Sequence, residues 1–240
     1  MTVDTKTTIG EIVAEDFRTA AVFSKYGIDF CCKGHRTLDE VCEKKNVSID
    51  DLTRELANAA QASAAATDYL SWPSDLLIDY IEKKHHRYIE EKSPVILQYL
   101  SKLCKVHGER HPELFNIYEL FHASAGELAA HMKKEELILF PFIKKMDKAK
   151  REGSAIERPH FGTVENPVAM MKDEHTTEGE RFEEIARLTD GYNPPADACS
   201  TYRVTFAMLA DFEQDLHTHI HLENNILFPR AIAMEASFQM

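Results

Sequence analysis

A chain of 240 residues, 44% of them hydrophobic, is long enough for one large domain, or a small domain plus a medium one, without disulfide staples. Its formal net charge of -12 argues against a nucleic-acid or anionic-membrane surface, because neutralising phosphates requires a basic face. Five cysteines, an odd number in a chain too large to be a disulfide scaffold, are expected to be reduced thiols.

The opening stretch MTVDTKTTIGEIVAEDF lacks the basic start and apolar core of a secretory signal. No apolar run approaches the ~20 residues that span a bilayer, so a cytoplasmic protein is expected. Only nine glycines, and long Ala, Glu, Lys and Leu rich segments at helical period, predict an all-α fold. Residues 8–26 place Ile9, Ile12, Val13, Phe17, Ala20 and Phe23 on one stripe that stops at Gly27. A cysteine-bearing turn, Gly27 to Gly34, follows. Two short helices are expected at about 37–45 and 49–60, the second capped by Ser48. The featureless segment Gln61 to Asp68 and the new start at Trp72-Pro73-Ser74-Asp75 put a domain boundary near 62–73, giving a small helical domain over 1–66 and a larger one over 67–240.

Four long helices are predicted in the second domain, at about 74–106, 112–149, 162–190 and 196–235. Their lengths and connections make an antiparallel four-helix bundle the default architecture. Pro94, Pro141 and Pro229 fall inside three of them and should kink or break the helix there.

The bundle contains a repeat. His131 to Pro141 and His219 to Pro229 both read H-x3-E-x2-I-L-F-P, which puts a His and a Glu on one helix face in each. His131 and His219 are 88 residues apart, and His86 and His175 are 89 apart, as expected for two helix pairs in tandem. Pseudo-twofold packing would gather six such side chains at one level of the core. On the fourth helix the stripe Leu209, Phe212, Leu216, Ile226 and Leu227 selects His219 with Glu223, and leaves His217 and His221 off it. On the second, Leu128, His131, Glu135, Ile138 and Phe142 run in steps of three and four. His175 lies on the stripe of the third helix with Val164, Val168, Met171, Phe182 and Ile185. On the first helix, His85 and His86 both lie near the buried face, and spacing does not choose between them.

A lone His on an apolar stripe is more often a hydrogen-bonded core residue than a ligand. Here two carboxylates also lie on buried stripes, each four residues from a His, and an unpaired buried carboxylate costs several kcal/mol or is neutralised. A bound dication removes that penalty at Glu135 and Glu223. Four imidazoles and two carboxylates favour first-row transition metals over calcium or magnesium. In a four-helix bundle they suggest two irons or two manganese ions with bridging glutamates. Iron is the expected metal, with zinc the expected wrong occupant. With an oxo or hydroxo bridge, each ion would have about five ligands and an open position.

These residues carry a family resemblance. Tyr26-Gly27-Ile28-Asp29-Phe30-Cys31-Cys32-Lys33-Gly34, His85-His86-Arg87-Tyr88 with Pro94, Val106-His107-Gly108, the two repeat motifs and Glu174-His175 follow one another over nearly the whole chain. The chain resembles the repair-of-iron-centres family, hemerythrin-like di-iron proteins of bacteria that restore iron-sulfur clusters damaged by nitric oxide or hydrogen peroxide. The resemblance implies a hemerythrin-like bundle after a small N-terminal domain. It also implies that the first-helix ligand is His86, eight residues before the proline, which makes the set His86, His131, Glu135, His175, His219 and Glu223. Oxygen-carrying hemerythrins use one histidine more, so these two non-heme irons should be more open and more easily lost.

The expected function is then repair of damaged clusters by donation of iron, with damaged or apo iron-sulfur proteins as partners and an electron donor that the sequence does not identify. Glu127 and Glu174 are candidates for supporting the ligands or for iron exit, or are solvent-facing carboxylates. The adjacent Cys31 and Cys32, beside Lys33, are candidate redox or transfer thiols, or thiols that only pack. Cys42, Cys104 and Cys199 are expected to be structural. Competing readings are nitric oxide reduction at the same two irons, a hemerythrin-like module that binds oxygen or nitric oxide, and a metal-free structural bundle. The family also suggests a homodimer pairing one chain's cysteine domain with the other's bundle.

Overall fold

The computed structural model describes residues 4–61 and 67–238. The expected boundary near 62–73 falls partly on 62–66, outside the described residues. Among the described residues there is no strand, only one isolated bridge between Thr8 and Thr37.

Residues 8–26 form two helices where the apolar stripe predicted one: α1 (Ile9–Glu15) and α2 (Thr19–Lys25). Thr8 and Glu11 cap α1 reciprocally. Asp16 then turns extended, and its carboxylate accepts from the Arg18 backbone N–H at 3.1 Å and from Arg18 Nε at 2.9 Å. That local side-chain bonding competes with helix continuation at a place where periodicity alone sees none. α2 does stop at Gly27, whose φ of 60° suits glycine. α3 (Leu38–Lys45) has a second capping box, Thr37 with Glu40. At α4 (Ile49–Gln61), Ser48 Oγ accepts from the Asp51 N–H at 3.3 Å, as a cap should.

The four long helices span 74–107 (α5), 113–152 (α6), 165–188 (α7) and 200–236 (α8), close to the predicted ranges. α5 packs on α6 and α8, and α6 packs on α7. Three of the four carry a wider π-helical turn: Ile81–His86 in α5, Glu135–Leu139 in α6 and Leu222–Leu227 in α8. Such turns often mark functional sites. Pro141 and Pro229 do not break their helices; each lies two residues past the end of a π turn, where the altered register accommodates a residue without an N–H. Pro94 lies within the uninterrupted helix Arg87–His107.

The apolar core falls into two clusters. One includes Ile89, Leu128, Met132, Phe182, Leu216 and Ile220 and runs on into the N-terminal helices; the other includes Ile81, Leu139, Met171, Ile226 and Phe228. Along the chain, His86, His131, Glu135, His175, His219 and Glu223 are interleaved with residues of both clusters.

The N-terminal helices and the cysteine turn dock directly over this level. Asn225 Nδ2 donates to the Phe30 carbonyl and Asn224 Nδ2 to the Cys31 carbonyl, each at 3.2 Å. The Cys32 thiol donates to the His175 carbonyl, also at 3.2 Å. Glycine is required at the contact: a Cβ on Gly34 would lie 2.4 Å from the Phe30 carbonyl oxygen.

Candidate metal centre

Six side chains from four helices meet in the core. His86, Glu135, His219 and Glu223 form one group whose ligand atoms all lie within 4.8 Å of one another, and His131, Glu135, His175 and Glu223 form a second. Both carboxylates belong to both groups. The pairing crosses the repeat, joining the single His of each helix pair to the H-x3-E of the other, as a pseudo-twofold arrangement requires.

Nε2 of His86 and Nε2 of His131 each lie 3.4 Å from Glu135 Oε2. His175 Nε2 is 3.2 Å from Glu223 Oε2, and His219 Nε2 is 2.9 Å from Glu223 Oε1. Both glutamates have no solvent exposure. His86 Nε2, both oxygens of Glu135 and Glu223 Oε2 lack a hydrogen-bond partner, and the Nε2 atoms of His131 and His175 face each other at 3.0 Å. Orphaned acceptors around two buried carboxyls are costly. Cations shared by the carboxylates would satisfy all of them, so the donor set fits a pair of dications.

The buried carboxylates and imidazoles act strongly on one another. Burial works against charge on His131, but the carboxylates of Glu135, Glu223 and Glu174 outweigh it and hold its pKa up to about 10. Burial and the charge of Glu223 oppose ionisation of Glu135, yet His131 and His86 keep that carboxyl below its ordinary range. Burial likewise opposes Glu223, and His219 and His175 drive it well below. At His219 burial wins and the imidazole is pushed toward the neutral form that ligates metal.

A surrounding layer orients the rings. Nδ1 bonds Glu136 Oε1 at 2.9 Å in His86, Glu174 Oε2 at 2.8 Å in His131, and Asn224 Oδ1 at 3.0 Å in His175. Lys133 holds Glu136 at 2.6 Å, and Lys134 pairs with the other oxygen of Glu174. His85 turns away to Asp215 at 3.0 Å and stacks on the His219 ring at 5.8 Å, so His86 is the histidine that joins the group.

The match of geometry and motif extends to comparison with known proteins. Residues 77–231 match the hemerythrin HHE cation-binding domain, and residues 5–60 match ScdA_N, a domain of unknown function. An iron-sulfur cluster repair protein ScdA from Staphylococcus haemolyticus is 33% identical over 92% of this chain and 95% of its own length. An iron-sulfur cluster repair protein YtfE from Enterobacter sp. is 34% identical, and one from Musicola paradisiaca is 33% identical, each over 95% of this chain and 97% of its own length. The chain belongs to the repair-of-iron-centres family.

In this family member some expectations need revision. Periodicity put His221 off the buried stripe of α8, yet it has no solvent exposure, because Phe17 and Phe30 of the N-terminal region pack on its ring. It joins neither of the two candidate metal-holding groups, and burial pushes its pKa down to about 3. Cys199, expected to be structural, is exposed. Glu127 forms an ion pair with Arg181 at 3.0 Å, whereas Glu174 reaches His131 directly. Both line a cavity of about 120 Å³ with Lys134, Glu178, His131 and His175. Cys31 is buried and Cys32 half-buried, their Sγ atoms 3.7 Å apart with no disulfide; burial raises the Cys31 thiol well above its ordinary value.

Sequence reading missed Glu136, Asn224 and Asp215. Glu136 and Asn224 each directly follow the motif glutamate in the two repeats, a signal that the charged run Lys133 to Glu136 masks at Glu136. Asp215 lies 130 residues from His85, and only the fold joins them. Among the described residues no helix is long and apolar enough to cross a membrane.

Proposed function

We propose that this protein holds two irons and repairs damaged iron-sulfur clusters by handing iron on. His86 and His219 would ligate one ion, His131 and His175 the other, with Glu135 and Glu223 shared. The observation that carries the reading is that both carboxylates belong to both four-residue groups. Bound there, iron would supply a redox-active, partly open dinuclear centre and at the same time the cargo that is passed on.

The chain's own residues account for both retention and release. Glu136, Glu174 and Asn224 fix the imidazole orientations and so set how firmly each ion is gripped. Glu174 is held between His131 and Lys134 and borders the cavity, so it can support the ligand or meet a departing cation. Glu127, on the same cavity, would extend that acidic route. Cys32, bonded to the His175 carbonyl, is the transfer thiol we favour over Cys31, whose burial disfavours the reactive thiolate. The N-terminal domain, 1–66, would then serve as a cover on the metal-bearing bundle, 67–240. The names of the relatives support iron-sulfur proteins as the recipients, and an external reductant would be needed to labilise ferric iron.

The test is to load the protein with ferrous iron, record metal content and near-ultraviolet absorption after oxidation, and incubate it with a nitric-oxide-damaged iron-sulfur enzyme. Reactivation with stoichiometric loss of iron is the expected result. Catalytic consumption of nitric oxide with iron retained would instead establish a reductase, and a preparation that takes up no metal would end the proposal.

A further inference from the structure

At one end of the bundle, roughly 30 Å along α8 from His219 at 1.5 Å per residue, lies a second pair of groups that can react together. Cys199 is the N-cap residue of the 22-residue helical segment Ser200–His221 and is the only exposed cysteine of the five. Its side chain does not cap the helix. Instead Sγ lies 3.3 Å from Nε2 of His107, at the end of α5.

His107 is only 6% exposed, and among the described residues its Nδ1 has no hydrogen-bond partner, so the sulfur is the one hydrogen-bonding contact there of a buried imidazole. A structural histidine would ordinarily satisfy both ring nitrogens. The neighbouring charges are engaged elsewhere: His111 bonds Asp197 at 3.0 Å and Glu113 at 3.2 Å, and Arg110 pairs with Asp197 at 3.1 Å. Tyr202 packs edge-on against the His107 ring at 5.4 Å and holds its plane. An accessible thiol with an imidazole nitrogen within hydrogen-bond reach has the geometry of a nucleophile beside its base.

We propose that Cys199 is a site of reversible thiol modification, with His107 as its proton acceptor and a low-molecular-weight disulfide as the co-substrate. The Cys199 proton passes to His107 Nε2, and the thiolate attacks one sulfur of the small disulfide. The disulfide's S–S bond breaks as the new mixed disulfide forms, and its other half leaves as a thiolate that takes up the proton. Cys199 is oxidised, the released thiol is the reduced product, and a free thiol reverses the step.

The experiment treats the full-length, metal-loaded protein with glutathione disulfide and follows adducts by intact mass and peptide mapping. The expected result is a single adduct on Cys199, formed at least tenfold faster than on the same chain unfolded in urea. Cys199→Ser should abolish it with metal content unchanged. His107→Gln should slow it at least tenfold while helical content is retained, and the folded-to-unfolded comparison on the native chain gives the answer even if that variant does not fold. Labelling of Cys199 no faster than in the unfolded chain, or a His107→Gln variant that folds and reacts at the native rate, would overturn the proposal.

Discussion

His175 Nδ1 bonds Asn224 Oδ1 at 3.0 Å, and through that one side chain this histidine of the candidate centre is joined to the cysteine turn, because Asn224 Nδ2 donates to the Cys31 carbonyl at 3.2 Å. Ring orientation at the centre and docking of the N-terminal helices are therefore set by the same residue. Asn224→Ala should weaken metal binding by about 10–100-fold, the usual cost of losing a partner behind a ligating histidine. Competition with a chromogenic chelator measures it; an unchanged affinity would mean that His175 is held by something else.

Glu135 and Glu223 make a sharper case. If the pair exists to bind metal, Glu135→Leu or Glu223→Leu should lose bound metal at both positions, since each group contains both glutamates. The native protein should also gain stability on metal addition, by about 2.7 kcal/mol per bound ion at a hundredfold excess over Kd, and the variants should lose most of that gain. Thermal melts with and without ferrous iron decide it, and equal gains in native and variant protein would refute a shared role.

Gly34→Ala addresses the docking. Its Cβ would meet the Phe30 backbone oxygen at 2.4 Å, a contact the chain can relieve only by moving the cysteine turn. A destabilisation of about 1–3 kcal/mol is expected, as for other overpacked sites. Limited proteolysis should cut the variant's turn at 27–34 faster than the native one. A variant with native stability and native cleavage would show that the turn has more freedom than its contacts suggest.

Glu213 predicts a pH dependence. Burial raises its pKa from the ordinary 4.5 to about 7 in the folded chain. Below pH 4.5 both folded and unfolded chains carry the proton, and the site costs nothing. As pH rises from about 4.5 to about 7 the unfolded chain releases its proton first, so stability falls, by an amount on the order of 3 kcal/mol that is complete above the folded pKa. Glu213→Gln should melt several degrees higher than the native protein at pH 8 and alike at pH 4; the same difference at both would remove titration as the cause.

Much of this was legible in the chain. The doubled H-x3-E motif, its spacing from His86 and His175 and the apolar steps around each are local, periodic signals, and a helix converts such spacing directly into a shared face. The break at Asp16 was harder, because a side chain that bonds its own neighbourhood leaves no periodic mark. His221 was misjudged for a different reason: a helix wheel assigns one buried face, but α8 is covered by the bundle on one side and by Phe17 and Phe30 on the other.

By itself, then, the sequence determined that the chain is helical, that two glutamates and at least three histidines face inward, and that they recur as a repeat. Only the tertiary structure decided that the groups cross the repeat, that His85 goes to Asp215, that Glu174 reaches a ring while Glu127 goes to Arg181, and that Glu136 and Asn224 steer the other rings. The reason is geometric. Periodicity along one helix specifies which direction a side chain points, whereas its distance to atoms on another helix depends on how the helices cross, and that follows from packing summed over the whole core.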